Sequence, residues 1–268
     1  MAGGQQASLP QWAVYSIFAL RMKRDLWRIY QRLHAHFGPQ GWWPTTPPGE
    51  KKPRYYPGEA GRLLSEAEKW EIAAGAILTQ NTAWRNAERA LEALCAAGAL
   101  DLRVMAGLDE PELAALIRAS GYYNQKARLL RELVRYIAEN YQGRIGRLLQ
   151  GGPGAVRQEL LSLWGIGPET ADSILLYAGG HPVFVVDAYT RRICTRLGLV
   201  GEDIGYAVLQ ESFMEELPGE AALFNEYHAL LVRHAVVYCR TEPLCASCCL
   251  RQWCKYGKNR KNTAEEKT

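Results

Sequence analysis

The sequence has no run approaching the ~20 consecutive apolar residues that a bilayer-spanning helix requires. Its apolar stretch near the start, Trp12–Leu20, is too short to span, follows no basic residue and lacks a small-residue cleavage site. Neither a membrane anchor nor a secretory signal is therefore expected. A strong charge bias is also missing: 32 Lys and Arg against 28 Asp and Glu leave +4, with a pI of about 8.6. That balance permits a polyanionic partner without selecting one. There is no repeat of fixed period, and strand signals are scarce. Only Pro182–Val186 (Pro-Val-Phe-Val-Val) looks strand-like, and one short segment cannot build a sheet. Without a secretory signal, the seven cysteines read as core thiols or metal ligands in a reducing compartment, so the expected location is the cytoplasm.

What is present is helical periodicity, in a chain of 268 residues that suffices for one or two domains. Ala127, Leu130, Val134, Ile137, Ala138 and Tyr141 recur at helical spacing, as do Ala87, Ala90, Leu91, Leu94 and Cys95. Leu223, Tyr227, Leu230, Leu231, His234 and Val237 form a third such set. Turn signals at Gly98, Gly121, Gly151-Gly152-Pro153, Gly179-Gly180 and Pro218-Gly219 separate segments of helix length. Residues 38–63 are rich in Pro, Gly and aromatics and predict an irregular lobe. The last dozen residues are polar and predict a frayed end. The fold class is all-α.

The most informative stretch is Leu163-Trp164-Gly165-Ile166-Gly167-Pro168-Glu169-Thr170-Ala171-Asp172. One helix is predicted over 154–163 and a second from Pro168, where proline suits the first helical position. Gly165 and Gly167 allow a tight turn between them and leave backbone N–H groups uncovered at a helix start. Such a turn can grip a phosphate without reading a base, with the apolar Ile166 pinning it to the core. A plain helical corner is the blander reading of the same glycines.

Two further features carry chemistry. Asp187 stands at the predicted start of a helix over Ala188–Leu197, where it can cap the helix, face a cleft, or do both. Cys239, Cys245, Cys248 and Cys254 follow a C-x5-C-x2-C-x5-C spacing that can wrap one metal centre, and both zinc and iron–sulfur clusters accept four cysteines. Cys249 is a spare, and Cys95 and Cys194 fall on helices as buried thiols.

Residues 163–187 resemble the helix-hairpin-helix, Gly/Pro-rich loop and aspartate of the endonuclease III superfamily. The resemblance extends to Leu78-Thr79-Gln80-Asn81-Thr82, to Gly121-Tyr122-Tyr123-Asn124-Gln125-Lys126-Ala127 and to His228–Cys254, and so covers about residues 64–256. Trp42-Trp43-Pro44, the Leu-Thr-Gln-Asn-Thr run and Glu169 are most similar to the 3-methyladenine DNA glycosylase III branch. The resemblance implies a DNA glycosylase of base excision repair acting on double-stranded DNA that carries a damaged base. It implies that Asp187 is catalytic, that Gly165, Ile166 and Gly167 hold the backbone, and that Gln80 with Asn81 fills the gap left by a flipped base. It further implies a [4Fe–4S] cluster on the four cysteines.

In the same family, members that also cut the strand have a lysine two residues after the second hairpin glycine, where this chain has Glu169. Glutamate forms no Schiff base, so hydrolysis by water is expected. Trp42 and Trp43 are candidate walls for a flipped alkylated purine, because a cationic base stacks well on a π-face, although core packing explains them as well. His228 and His234 match relatives but read as packing residues outside the catalytic set. The expected architecture is a helical barrel over 64–180 and a second lobe of 1–63 with 181–268, forming a monomer without membrane contact. A bifunctional glycosylase/lyase, a non-catalytic lesion-binding protein and an electron-transfer iron–sulfur protein are the rival readings.

Overall fold

The computed structural model describes residues 25–259. The Trp12–Leu20 run and the tail beyond 259 lie outside the described residues. The protein is all-α, as the periodicity predicts. A helix over residues 25–37 (α1) is followed by an irregular stretch and then by α2 (Glu66–Leu78), α3 (Trp84–Ala96), α4 (Leu102–Gly107) and α5 (Glu110–Leu116). Next come α6 (Tyr123–Tyr141), α7 (Ile145–Leu148), α8 (Pro153–Ser162) and α9 (Pro168–Ser173), the last continued by a π-helical turn over Ile174–Ala178. The chain then runs through α10 (Ala188–Leu197), α11 (Tyr206–Glu216), α12 (Ala221–Val237) and α13 (Lys255–Asn259). Pro182–Val186 is extended and has no β partner among the described residues. Among the described residues the only β contact is the bridge between Thr45 and Arg54.

The core is built around α2. Ser65 and Glu68 close a capping box at its start, so the helix begins a turn before its apolar run. From Trp70 to Leu78 every residue is buried, which marks a central helix rather than a surface one. It packs against α3, α6, α7, α9 and the π-helical turn. Gly75 gives the Trp43 indole room: a Cβ there would lie 3.1 Å from the ring. The irregular stretch 41–62 is tied to the same helix, because Glu71 accepts from the backbone N–H (2.8 Å) and hydroxyl (2.7 Å) of Thr46, and Glu68 accepts from the Thr45 hydroxyl.

The C-terminal helices form a second set, with α10 packed on α12 and α13. The α1 helix joins them, since the Tyr227 hydroxyl donates to the Leu26 carbonyl at 2.8 Å and Arg32 Nε to the Cys249 carbonyl at 3.2 Å.

Asp172 connects the hairpin to the segment that follows it. It is fully buried and takes both oxygens' worth of Arg157, with Nε at 2.7 Å and Nη2 at 3.0 Å. The Tyr206 hydroxyl (2.7 Å) and Gln210 Nε2 (2.8 Å) donate to Oδ2 as well, and Gln210 also donates to the Phe184 carbonyl at 2.7 Å. Burial, then the neighbouring carboxylate, push the Tyr206 phenol well above its ordinary pKa, so it stays a donor. One carboxylate thus joins α8, α9, α11 and the strand-like run before Asp187. Asp172→Ala is expected to destabilise the protein by about 3–5 kcal/mol, because it leaves a guanidinium and two polar groups without their acceptor. Denaturant unfolding of the variant measures this, and a loss below ~1 kcal/mol would contradict the assigned role.

Candidate active site

The hairpin turn is open to solvent on one side and pinned on the other. Gly165 has φ +80° and is exposed, Ile166 is buried at 5% exposure, and no side chain caps the start of α9 at Gly167. A Cβ on Gly165 would touch Leu129 of α6 at 3.4 Å, so the glycine answers both its dihedral and its neighbour. Trp164, just before the turn, is 47% exposed and lies 4.3 Å beneath the Arg128 guanidinium. That cation at the rim was not expected from sequence.

Gln80 Nε2 donates to the Gly165 carbonyl and to the Thr170 hydroxyl, each at 3.0 Å, and so folds back onto the hairpin in the absence of DNA. Two acceptors within reach are a better partner set than solvent alone. Asn81 beside it is exposed and left-handed, at φ 51°. Beneath this turn lies a residue quoted only as part of a motif, Lys126. It is 2% exposed, and its ammonium donates to the carbonyls of Leu78 (2.8 Å) and Ser120 (2.7 Å). Burial lowers its pKa to about 8. The turn bearing Gln80 and the turn leading to the exposed, left-handed Tyr122 are therefore fastened to one side chain.

Asp187 is both a cap and a cleft residue. Oδ1 accepts from the Thr190 backbone N–H at 2.6 Å at the start of α10, and Oδ2 lies 3.7 Å from His228 Nε2. Burial acts to raise its pKa. The imidazole of His228 and the Thr190 N–H outweigh it, and the carboxyl ends below its ordinary value. It is an anion at neutral pH. Glu169, in the first turn of α9, is shifted the other way, by desolvation and then by the Asp187 charge, against His228. The two carboxyls therefore share one electrostatic environment.

A continuous series of rings leads from Asp187 to the tryptophan pair. His228 Nδ1 meets the Tyr177 hydroxyl at 2.6 Å, and Tyr177 on the π-helical turn packs against Trp43 with centroids 5.2 Å apart. Trp84, the first residue of α3, lies 5.3 Å from Trp43 and 4.8 Å from Trp42, and Tyr55 is 5.7 Å from Trp42. Trp43 is core-packed at 8% exposure, whereas Trp42 is only half-buried. Of the two predicted wall residues, Trp42 has the more accessible ring. Trp84 and Tyr177 were not singled out, and His228 read as packing, because nothing local distinguishes a helix-starting tryptophan or a helical histidine from core residues.

Cys239, Cys245, Cys248 and Cys254 line one pocket together with Arg196 and His234, and none of the seven cysteines forms a disulfide. N–H donors point at two of the sulfurs, Arg196 Nη1 3.4 Å from Cys239 Sγ and the Gly257 N–H 3.3 Å from Cys254 Sγ; His234 Nε2 lies 3.2 Å from Cys248 Sγ, and Cys254 Sγ lies 3.2 Å from the Arg196 carbonyl. N–H groups aimed at sulfur suit thiolates. Among the described residues, no group of three or more His, Cys, Asp or Glu is arranged to hold a single metal ion. Cys249 is not among the pocket's lining residues.

Residues 74–219 match the family described as HhH-GPD superfamily base excision DNA repair protein. A Methanocaldococcus jannaschii protein, named as a candidate DNA repair glycosylase, is 38% identical over 231 residues, spanning 85% of this chain and 95% of that protein. Endonuclease III of Thermotoga maritima is 29% identical over 200 residues, 74% of this chain and 88% of that enzyme. Among solved structures, H. pylori 3-methyladenine DNA glycosylase bound to 1,N6-ethenoadenine is similar with a TM-score of 0.61 and 27% identity, over 81% of this chain and 97% of that one. A non-covalent endonuclease III–DNA complex shares the fold at a TM-score of 0.69 and 20% identity, over 88% and 96% of the two chains. The chain belongs to the HhH-GPD superfamily of base excision DNA repair glycosylases.

Proposed function

We propose that the protein is a monofunctional glycosylase that binds damaged double-stranded DNA and hydrolyses the N-glycosidic bond of a flipped alkylated purine of the 3-methyladenine type. The observation that carries this reading is the position of Asp187: an anionic carboxylate at one end of the rings His228, Tyr177, Trp43 and Trp42. Cleavage develops positive charge on the sugar, and a nearby anion stabilises it and orients water at C1′. An alkylated purine already bears positive charge and departs as a neutral base, which reduces the need for a separate general acid. Its ring stacks favourably on tryptophan faces, and the half-buried Trp42 with Trp84 offers such faces. The H. pylori enzyme, 27% identical, is named for 3-methyladenine and holds an ethenoadenine, which supports the same class here.

Hydrolysis rather than lyase chemistry rests on Glu169, which occupies the place where the amine nucleophile would have to stand. The exposed Gly165–Gly167 turn serves as the phosphate grip, and Gln80 with Asn81 as the wedge once Gln80 leaves its hairpin acceptors. We read residues 64–180 as one lobe and 1–63 with 181–268 as the other, with Asp187 at the groove between them. Cys239, Cys245, Cys248 and Cys254 hold a [4Fe–4S] cluster in this reading, supported by the shared pocket and the N–H donors at two of the sulfurs. Bound there, the cluster would cross-link residues 239–254 and so fix the Arg240 and Arg251 backbone.

Asp187→Asn is expected to slow release of 3-methyladenine from duplex DNA by roughly 10²–10⁴-fold while leaving DNA affinity within a few-fold. Unchanged release would favour a non-catalytic lesion binder. Borohydride treatment during turnover is expected to trap no covalent protein–DNA adduct, and an adduct dependent on any lysine would move the protein to the bifunctional class. Anaerobically purified protein is expected to contain iron and acid-labile sulfide in equal amounts, lost in Cys248→Ser; stoichiometric zinc instead would overturn the cluster assignment.

A further inference from the structure

We propose that His228 is the positioning residue of Asp187, its Nε2–H held toward the carboxylate by the Tyr177 hydroxyl. This rests on the reading of Asp187 as the group that acts at the sugar, and extends it to a residue that touches neither sugar nor base.

The argument begins with Tyr177, which is 4% exposed on the π-helical turn. Its phenol is pushed far above the usual value by burial, then by Asp187, then by Glu226. It therefore keeps its proton, and the hydroxyl lies 2.6 Å from His228 Nδ1; in the proposed arrangement it donates there. An imidazole whose Nδ1 accepts carries a proton on Nε2. That nitrogen is buried and has no hydrogen-bond partner, a costly state for an N–H. The acceptor it faces is Asp187 Oδ2 at 3.7 Å. The gap exceeds a hydrogen bond by about 0.8 Å, a distance that modest side-chain rotation closes, and catalytic hydrogen bonds in free enzymes are commonly long. Asp187 Oδ1 is already committed to the Thr190 N–H. Each carboxylate oxygen thus has one N–H assigned to it, one from the backbone and one from His228.

The other groups that bear on the pair come from every packed element. Glu169 faces them from α9, Tyr177 from the π-helical turn and Cys194 from α10, while Glu226 of α12 acts on Tyr177. Burial, then Asp187, raise the Cys194 thiol to about 12, so it stays neutral. The carboxyls of Glu169 and Glu226 are both raised, each by desolvation first. Among these neighbours, His228 supplies the side-chain N–H directed at Oδ2. Without it, burial would act on Asp187 with less opposition and its pKa would rise.

The test is the pH profile of single-turnover base release for wild type, His228→Leu, His228→Gln and Tyr177→Phe, with Glu169→Gln run in parallel to identify Glu169's own titration. His228→Leu is expected to move the acidic limb upward by roughly one pH unit. Glutamine, which keeps an N–H near that point, should restore most of the wild-type limb, and Tyr177→Phe should fall between. Coincident limbs for wild type and His228→Leu, or a glutamine variant no better than leucine at equal thermal stability, would overturn the proposal. Nitrogen-15 NMR of the free protein judges it without activity. The expected pattern is a protonated Nε2 and an accepting Nδ1, and the reverse tautomer defeats it. Should wild type release no base at all, the glycosylase reading fails, while the NMR result still decides the role of His228.

Discussion

The placement of the site depends on a charge the protein buries completely. A carboxylate at 0% exposure is tolerated only when its oxygens are satisfied, and Asp172 meets that condition with one guanidinium, one phenol and one amide. Those donors come from α8 and α11, on either side of the hairpin and of the extended run. Because Gln210 also grips the Phe184 carbonyl, the run 183–186 has little freedom to slide. Phe184 reinforces this by stacking on Phe213 with centroids 4.0 Å apart. Asp187 is the next residue after that clamped segment, so its location is inherited from a salt bridge fifteen residues upstream.

Around Asp187 the protein arranges opposing influences. Burial penalises the anion, while a helix start and an imidazole favour it. Glu169, sharing the field, is driven toward its neutral form instead. The two carboxyls are thus pushed in opposite directions by their surroundings. The aromatic side is equally connected: the tryptophans, Tyr177 and His228 form a series of ring contacts, so Trp42 and Asp187 belong to one packed unit.

Features encoded within one short stretch were legible from sequence. The hairpin needs two glycines, an apolar pin and a proline start, and all stand within six residues. Asp187 was readable as a cap because α10 follows at once, and the cysteine array declares itself by spacing. The α10 boundaries match the reading, and α8 begins one residue earlier than predicted. What escaped was long-range. His228 meets Asp187 across 41 residues and Tyr177 across 51, and no pattern in α12 separates it from the packing residues on the same face. Trp84 reaches Trp42 through the path of the 41–62 stretch, which has no regular element to extrapolate. Gln80 was placed at the right corner, but its acceptors, Gly165 and Thr170, lie 85 and 90 residues away, so its folded-back state could not be foreseen.

Lys126 gives the molecule a joint whose hydrogen-bond count does not depend on its charge. Its nitrogen serves two carbonyls, one on each of the turns ending at Gln80 and at Tyr122. An ammonium has three hydrogens and an amine two, so shedding a proton near pH 8 still leaves one hydrogen for each oxygen. The two turns thus remain tied to one nitrogen on either side of that titration.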